Sequence, residues 1–455
     1  MKFRRFFTVF LSLLLVFQIV TVSFAAEEDV GDWEVLAKAA LLLDPETGEI
    51  LYARNIHDKL YPASLTKVMT ALLVLEAIEN GDLTMTTVLT ASETAVGGIP
   101  NDASSAGIVA GEELTVEQLL HCILVVSANE ACNVLAEGVS GSVEAFVTLM
   151  NERAAQLGCK DTQFMNTNGL HSVEHYTTAW DLHLITLEAM THEVFLRICN
   201  TKFCEVPPTN VRKDSRKYST TNYLISTTRN ANYLYRGANG VKTGSTSDAG
   251  YCLIATAQRG DRCLLSVVLG AERVTLEDGT KDTRSFSETI KLLDYGFDGF
   301  QRAVILETSE LIDEVKVTLS QEQNTVKIHP AEGVERLIPS DITPADIERT
   351  ITLYADSVEA PVAKGQVLGT VTLSYNGVIY ATVDLLADED VSDSRLLRFQ
   401  KDALDFVSSS EFKLYAACGC AVLLLLIVIC VAVKKRGSRR RYDNNRRGSY
   451  RGRRR

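Results

Sequence analysis

Apolar residues recur at intervals of three and four from residue 64 to about residue 78, where Val68, Met69, Leu72, Leu73 and Leu75 would share one face of a helix. A second helical stretch runs from residue 114 to about residue 196. Within it, Thr178-Ala179-Trp180-Asp181 reads as a capping box ahead of the apolar run 182–187. The pattern changes on both sides of these helices. Ala39–Leu43 and residues 50–52 are short apolar runs around Asp44-Pro45-Glu46-Thr47-Gly48, which predicts a hairpin. Strand character returns near Gly240: residues 251–257 and 263–269 form a second predicted hairpin across 258–262, before a short helix at about 287–295. Strands at both ends with helices between them predict one sheet built from both ends of residues 35–298. Helices cover that sheet and a helical insertion interrupts it, giving an α/β (α+β) domain.

Residues 303–387 carry short strand patterns instead. Val315-Lys316-Val317-Thr318-Leu319 alternates, and Leu373-Ser374-Tyr375 meets Val378-Ile379-Tyr380 across Asn376-Gly377, the strongest short hairpin signal. A second, small all-β sandwich-like domain is expected there, followed by a charged stalk at 388–413. Residues 414–433 hold no charge, which is length enough for a transmembrane helix. Lys434, Lys435 and Arg436 follow at once, and the basic tail 434–455 is expected in the cytoplasm. At the other end a charged start, an apolar run over 6–22 and Ser23-Phe24-Ala25-Ala26 predict a secretory signal peptide over 1–26, with an uncleaved anchor as the alternative. The expected product is an exported, outward-facing ectodomain on a single C-terminal span.

Charge sharpens this layout. The chain of 455 residues has a formal net charge of −12. Setting aside the tail (+11) and the charged start (+3) leaves the stretch between them near −26. So acidic a surface argues against nucleic acid as a partner. Of ten cysteines, Cys418, Cys420 and Cys430 fall in the span. Cys252 and Cys263 flank a predicted tight turn at Gly260-Asp261 that would set Cys263 opposite Gln258, out of register with Cys252. Mostly free, buried thiols are expected.

Three short motifs carry candidate chemistry: Ser64-Leu65-Thr66-Lys67, Ser127-Ala128-Asn129 and Lys242-Thr243-Gly244. Ser64 and Lys67, three apart on one helix, share a face, so the amine can reach the hydroxyl. A serine needs a base to become a nucleophile. No Gly-x-Ser-x-Gly elbow is present, which leaves a neutral lysine as the economical choice. The helix start, Lys242 and burial would each lower the pKa of Lys67. Ser127, at a break between helical runs, can shuttle a proton to a leaving amine, and Asn129 can hold a substrate amide. Lys242 supplies charge and Thr243 a hydroxyl for a terminal carboxylate. Gly244 would let a substrate backbone lie close to the strand. The bland alternative is a capped helix, a loop and a turn with nothing in common.

The motifs sit in longer signatures: Tyr61-Pro62-Ala63 before Ser64; Asn168-Gly169-Leu170 with His175-Tyr176-Thr177-Thr178-Ala179; Gly240-Val241 before Lys242 with Ala249-Gly250-Tyr251 after; and Ala360-Pro361-Val362 through Gly365-Gln366-Val367-Leu368-Gly369. In these residues the chain resembles the low-molecular-mass penicillin-binding proteins that are serine D-Ala-D-Ala carboxypeptidases, over about residues 35–390. The resemblance implies a β-lactamase-like D,D-peptidase fold, a peptidoglycan stem peptide as substrate and β-lactams as covalent inhibitors. It implies Ser64 as the acylated nucleophile, Lys67 as base, Ser127 as proton relay, and Asn129, Lys242 and Thr243 as substrate contacts. The backbone N–H groups of Ser64 and Ser245 would form the oxyanion hole. Three features depart from the family pattern. Residue 128 is alanine where glycine is common. Arg284, the nearest candidate for the family's carboxylate-binding arginine, stands one residue early. A full span replaces the amphipathic anchor.

Other readings make different demands. A class A β-lactamase would need a glutamate-bearing loop, and no Glu-x-x-Leu-Asn occurs. A metallopeptidase would need more than His171 and His175, so no metal or cofactor is expected. A non-catalytic wall-binding protein would have no use for a nucleophile–base pair. A D,D-endopeptidase would use the same residues.

Overall fold

The computed structural model describes residues 34–448, so the expected signal segment and residues 449–455 lie outside the described residues. In the first compact unit, five antiparallel strands form a sheet in the order β2-β1-β5-β4-β3: β1 (Ala39–Leu43), β2 (Ile50–Arg54), β3 (Ala238–Thr246), β4 (Gly250–Arg259) and β5 (Arg262–Ala271). The sheet is thus made from both ends of the unit, as the pattern predicts. Every residue of β1 is buried because both faces are covered. Leu41, Leu43, Leu265 and Val267 pack with the helical insertion, whereas Leu42, Leu264 and Val268 pack with Leu292, Leu293 and Phe297. A strand covered on two sides reads as an unbroken apolar run, not an alternation. Each such leucine contributes roughly 2 kcal/mol by burial. The β4–β5 turn falls at Gly260-Asp261 with Gln258 opposite Cys263, and all ten cysteines are free.

The helices of six or more residues in this unit are α1 (Lys67–Glu79), α2 (Val116–His121), α3 (Asn129–Ser140), α4 (Val143–Gln156), α5 (Ala179–Met190), α6 (Glu193–Cys199) and α7 (Arg284–Gly299). The predicted stretch over 114–196 is therefore interrupted. A reciprocal capping box starts α2 at Thr115 and Gln118; a π-helical turn, Cys122–Val126, follows α2; and residues 157–178 form a loop before α5. Thr178 accepts the Asp181 N–H as expected. Asp181 does not return the favour, because its carboxylate takes the N–H groups of Lys160 and Asp161 and the Thr162 hydroxyl. That cap ties the loop to α5.

The second unit is all-β. Its six-stranded sheet includes strands Val367–Tyr375 and Val378–Ala387, joined at Asn376-Gly377 with φ of 49° and 82°, the conformation such a hairpin demands. Val315, Val326, Ile328, Val371, Leu373 and Leu385 are buried. Within the stretch expected as a stalk, Arg395–Ser408 is helical. A last helix follows, in which Ser410–Lys435 is long and apolar enough to cross a membrane, with a mean hydropathy of 3.1.

Candidate active site

Ser64 lies in a 3-10 turn, Ala63–Thr66, and α1 begins only at Lys67. The sequence pattern predicted one α-helix from residue 64. The difference favours the chemistry, since residues three apart eclipse in a 3-10 turn. Lys67 Nζ stands 2.9 Å from Ser64 Oγ, 2.7 Å from Asn129 Oδ1 and 2.6 Å from the Asn168 carbonyl oxygen. Two of these three neighbours can only accept. A neutral amine has two N–H groups and one lone pair. Given to Asn129 and Asn168, the N–H groups leave the lone pair facing the Ser64 hydroxyl.

The amine gives up its proton more readily than a solvated lysine. Lys67 is 0 % exposed, and burial lowers its pKa to about 8, against the opposing pull of Cys132 and Glu130. Lys242, in the middle of β3, is equally enclosed. Burial first, and then the charge of Lys67, lower its pKa to about 7. Its Nζ donates to the Thr243 carbonyl at 2.8 Å. The Thr243 hydroxyl is 2.7 Å from the Thr221 hydroxyl, a partner the sequence did not single out.

The turn bearing Ser64 is braced from behind. Ala63 has φ of +48°, a left-handed conformation that costs an L-residue about 1–2 kcal/mol. Its carbonyl accepts from Thr66 Oγ1 at 2.9 Å, and Thr66 Oγ1 lies 2.8 Å from His175 Nε2. His175 Nδ1 accepts the Met165 N–H at 3.1 Å, so Nε2 carries the proton and donates to Thr66. Burial drops the His175 pKa to about 4, keeping the ring neutral. His175 is thus a structural histidine. His171 faces Asp248 at 3.8 Å. Among the described residues no group of three or more potential metal ligands occurs.

Ser127 is buried, with φ of +67°, at the end of the π-helical turn. The reversal there sets Asn129 at the first position of α3, with its oxygen on Lys67. Gly244 has an internal role beside the one expected from the sequence. A Cβ there would lie 2.9 Å from the Pro62 carbonyl oxygen and 3.1 Å from the Ser64 nitrogen, so its bareness lets β3 approach the nucleophile's turn. Ser245 is exposed on the same strand, opposite Tyr251. Arg284 begins α7, with its side chain 3.7 Å from Glu272. Asn168 was part of a matched signature without a role. It acts through its main-chain oxygen, which no residue-type pattern announces.

Comparison with known proteins agrees with this architecture. The family model for D-alanyl-D-alanine carboxypeptidase, Peptidase_S11, matches residues 23–273, and that for the C-terminal domain of penicillin-binding protein 5 matches residues 300–393. The D-alanyl-D-alanine carboxypeptidase DacF of Bacillus subtilis (strain 168) is 33% identical over 367 residues, 80% of this chain and 88% of that protein. DacC of Escherichia coli (strain K12) is 32% identical over 374 residues, 82% and 88% of the two chains. Penicillin-binding protein 5 from Haemophilus influenzae superposes with a TM-score of 0.61 at 31% identity, covering 80% of this chain and 100% of that one. With both family models in register along its length, the chain belongs to the D-alanyl-D-alanine carboxypeptidase family of serine penicillin-binding proteins.

Proposed function

We propose that this chain removes the terminal D-alanine from peptidoglycan stem peptides through an acyl-enzyme on Ser64. The observation that carries the reading is the amine of Lys67, buried, depressed toward neutrality and 2.9 Å from Ser64 Oγ. Its lone pair takes the Ser64 proton as Oγ attacks the carbonyl carbon of the penultimate residue. The carbonyl oxygen becomes an oxyanion held by the backbone N–H groups of Ser64 and Ser245. Ser127 relays a proton to the departing D-alanine amine, and water then hydrolyses the ester. Asn129 holds the substrate amide. Lys242 and Thr243 receive the terminal carboxylate, with Gly244 keeping their strand close to the nucleophile. Arg284 gains no support as a carboxylate ligand, because its guanidinium is beside Glu272.

Penicillin acylates the same serine and the adduct persists, since no loop of the class A kind activates water against it. The protein is exported, with the catalytic and all-β units outside, the span near 414–433 in the membrane and the basic tail inside. The apolar helix and the charge that follows it support that orientation.

The test uses the full chain in detergent with a fluorescent penicillin and a D-Ala-D-Ala peptide. Labelling and D-alanine release should both vanish in Ser64→Ala. Release that survives this change, or labelling without any release from the unaltered chain, overturns the reading; the second result would make it a binding protein.

A further inference from the structure

Next to Asn129 in the chain lies a carboxylate that the reaction scheme does not use. Glu130 follows Asn129 in the first turn of α3 and is 2 % exposed. Its Oε1 accepts from Ser105 Oγ at 2.7 Å, from the Ala106 N–H at 2.7 Å and from the Ile108 N–H at 3.3 Å. The Asn129 N–H closes the same latch by donating to the Ser104 carbonyl at 3.0 Å. Oε2 is buried without a hydrogen-bond partner among the described residues. A buried carboxylate with an idle oxygen is costly. A glutamine could accept the same three hydrogen bonds, so the latch alone does not call for an acid. What the acid adds is charge, one residue from the Asn129 whose oxygen holds the enclosed Lys67 amine.

We infer that Glu130 is a positioning residue of the acylation step: it latches residues 104–108 onto α3, which fixes Asn129 and through it the Lys67 amine, and it balances the charge of that buried amine. The inference rests on Lys67 acting as the base. Lys67 is faced by Cys132 and Glu130 from α3, by Lys242 from β3 and by His175 from the 157–178 loop. Glu130 also acts on Cys122 and Tyr218, beside which the Arg216–Glu112 ion pair stands. The carboxylate favours the protonated form of Lys67 and so opposes desolvation. Without it the amine would lose its proton at lower pH.

The second-order rate of acylation by a fluorescent penicillin, measured against pH on the detergent-solubilised full chain, tests this. Glu130→Gln should move the acid limb of the profile to lower pH by about half a unit or more, the sign expected for removing a nearby negative charge. Glu130→Asp, which keeps the charge but withdraws it from the three donors, should leave the limb in place and lower the plateau. An unmoved limb in Glu130→Gln overturns the inference, since a purely structural loss reduces rate and stability without shifting the limb. Should Glu130→Gln fail to fold, a limb displaced in Glu130→Asp overturns it equally. A wild-type chain that takes no label at all would instead be a failure of the Ser64 mechanism.

Discussion

Gly169→Ala probes how the loop after α4 supports the nucleophile. Gly169 has φ of +86°, and a Cβ built there would lie 1.8 Å from the Ala63 carbonyl oxygen, 2.3 Å from its carbon and 2.9 Å from Thr66 Oγ1. The obstacle is backbone, so no rotamer relieves it. Restoring an ordinary contact requires about 1.5 Å of separation, given optimal carbon contacts near 3.5 Å. Either the Asn168–Gly169 segment moves, taking the Asn168 carbonyl off Lys67, or the Ala63 peptide moves, taking Ser64 with it. The left-handed conformation adds about 1 kcal/mol and the overpacking about 1–3 kcal/mol, for a loss of about 2–4 kcal/mol. Displacement of about 1 Å at reacting groups costs about 100-fold in rate.

Gly158→Ala is the matched control, because Gly158 has φ of +84° with nothing within 4 Å of its Cβ. It should lose about 1 kcal/mol and acylate within about twofold of wild type. In melting temperature the two losses correspond to about 4–16 °C and about 2–4 °C. Labelling kinetics with a fluorescent penicillin, alongside thermal melts, separate the two variants. If Gly169→Ala melts and acylates like Gly158→Ala, the proposed bracing of Ser64 by this loop is wrong.

Two further expectations concern titration. Lys67 and Lys242 have folded pKa values of about 8 and 7 against 10.5 in an open chain. From about pH 7 to about pH 10 the unfolded chain therefore holds protons that the folded chain has released, and stability climbs over that window. Melts across pH should show the climb, reduced in Lys242→Met; an identical slope in that variant would refute the assignment. Burial raises the thiol of Cys159 to about 12 and those of Cys204 and Cys263 to about 11, so little thiolate is available. Iodoacetamide at pH 7.5 should modify these three only as the chain unfolds, and reductant should leave the melting temperature unchanged. Rapid labelling of the folded protein would contradict this.

What the sequence made legible follows from how local each feature is. Ser64 and Lys67 are neighbours on one turn, so their spacing alone puts amine and hydroxyl together. Whether that turn is α or 3-10 could not be read, because periods of 3.0 and 3.6 hardly differ across four residues. The sheet was legible because β1 is apolar throughout and β5 is broken only by Ser266 after its first residue, and the hairpin register followed from a two-residue turn. Contacts made across the chain were not legible. The Asn168 carbonyl carries no residue-type signature. Thr221 reaches Thr243 only because the segment after Arg216–Ser219 returns to β3. For Arg284, one residue of offset at the start of a helix turns a side chain by about 100°. In the structure that side chain lies beside Glu272.

The same distinction explains why the three motifs were stronger together than apart. A serine and a lysine three apart occur in many helices, and in most of them the lysine is solvated and charged. Here the amine becomes a usable base only when its water is replaced by acceptors that leave one lone pair unclaimed. Asn129 supplies the first acceptor and lies within the second motif. Lys242, in the third, is the other buried amine, and its own lowered pKa shows how little positive charge this interior tolerates. The remaining acceptor is the Asn168 carbonyl, held by a loop whose Gly169 must be bare to sit against Ala63. In the proposed mechanism the motif residues are thus a necessary part of the base, and the 157–178 loop is the part that turns a common spacing into a reagent.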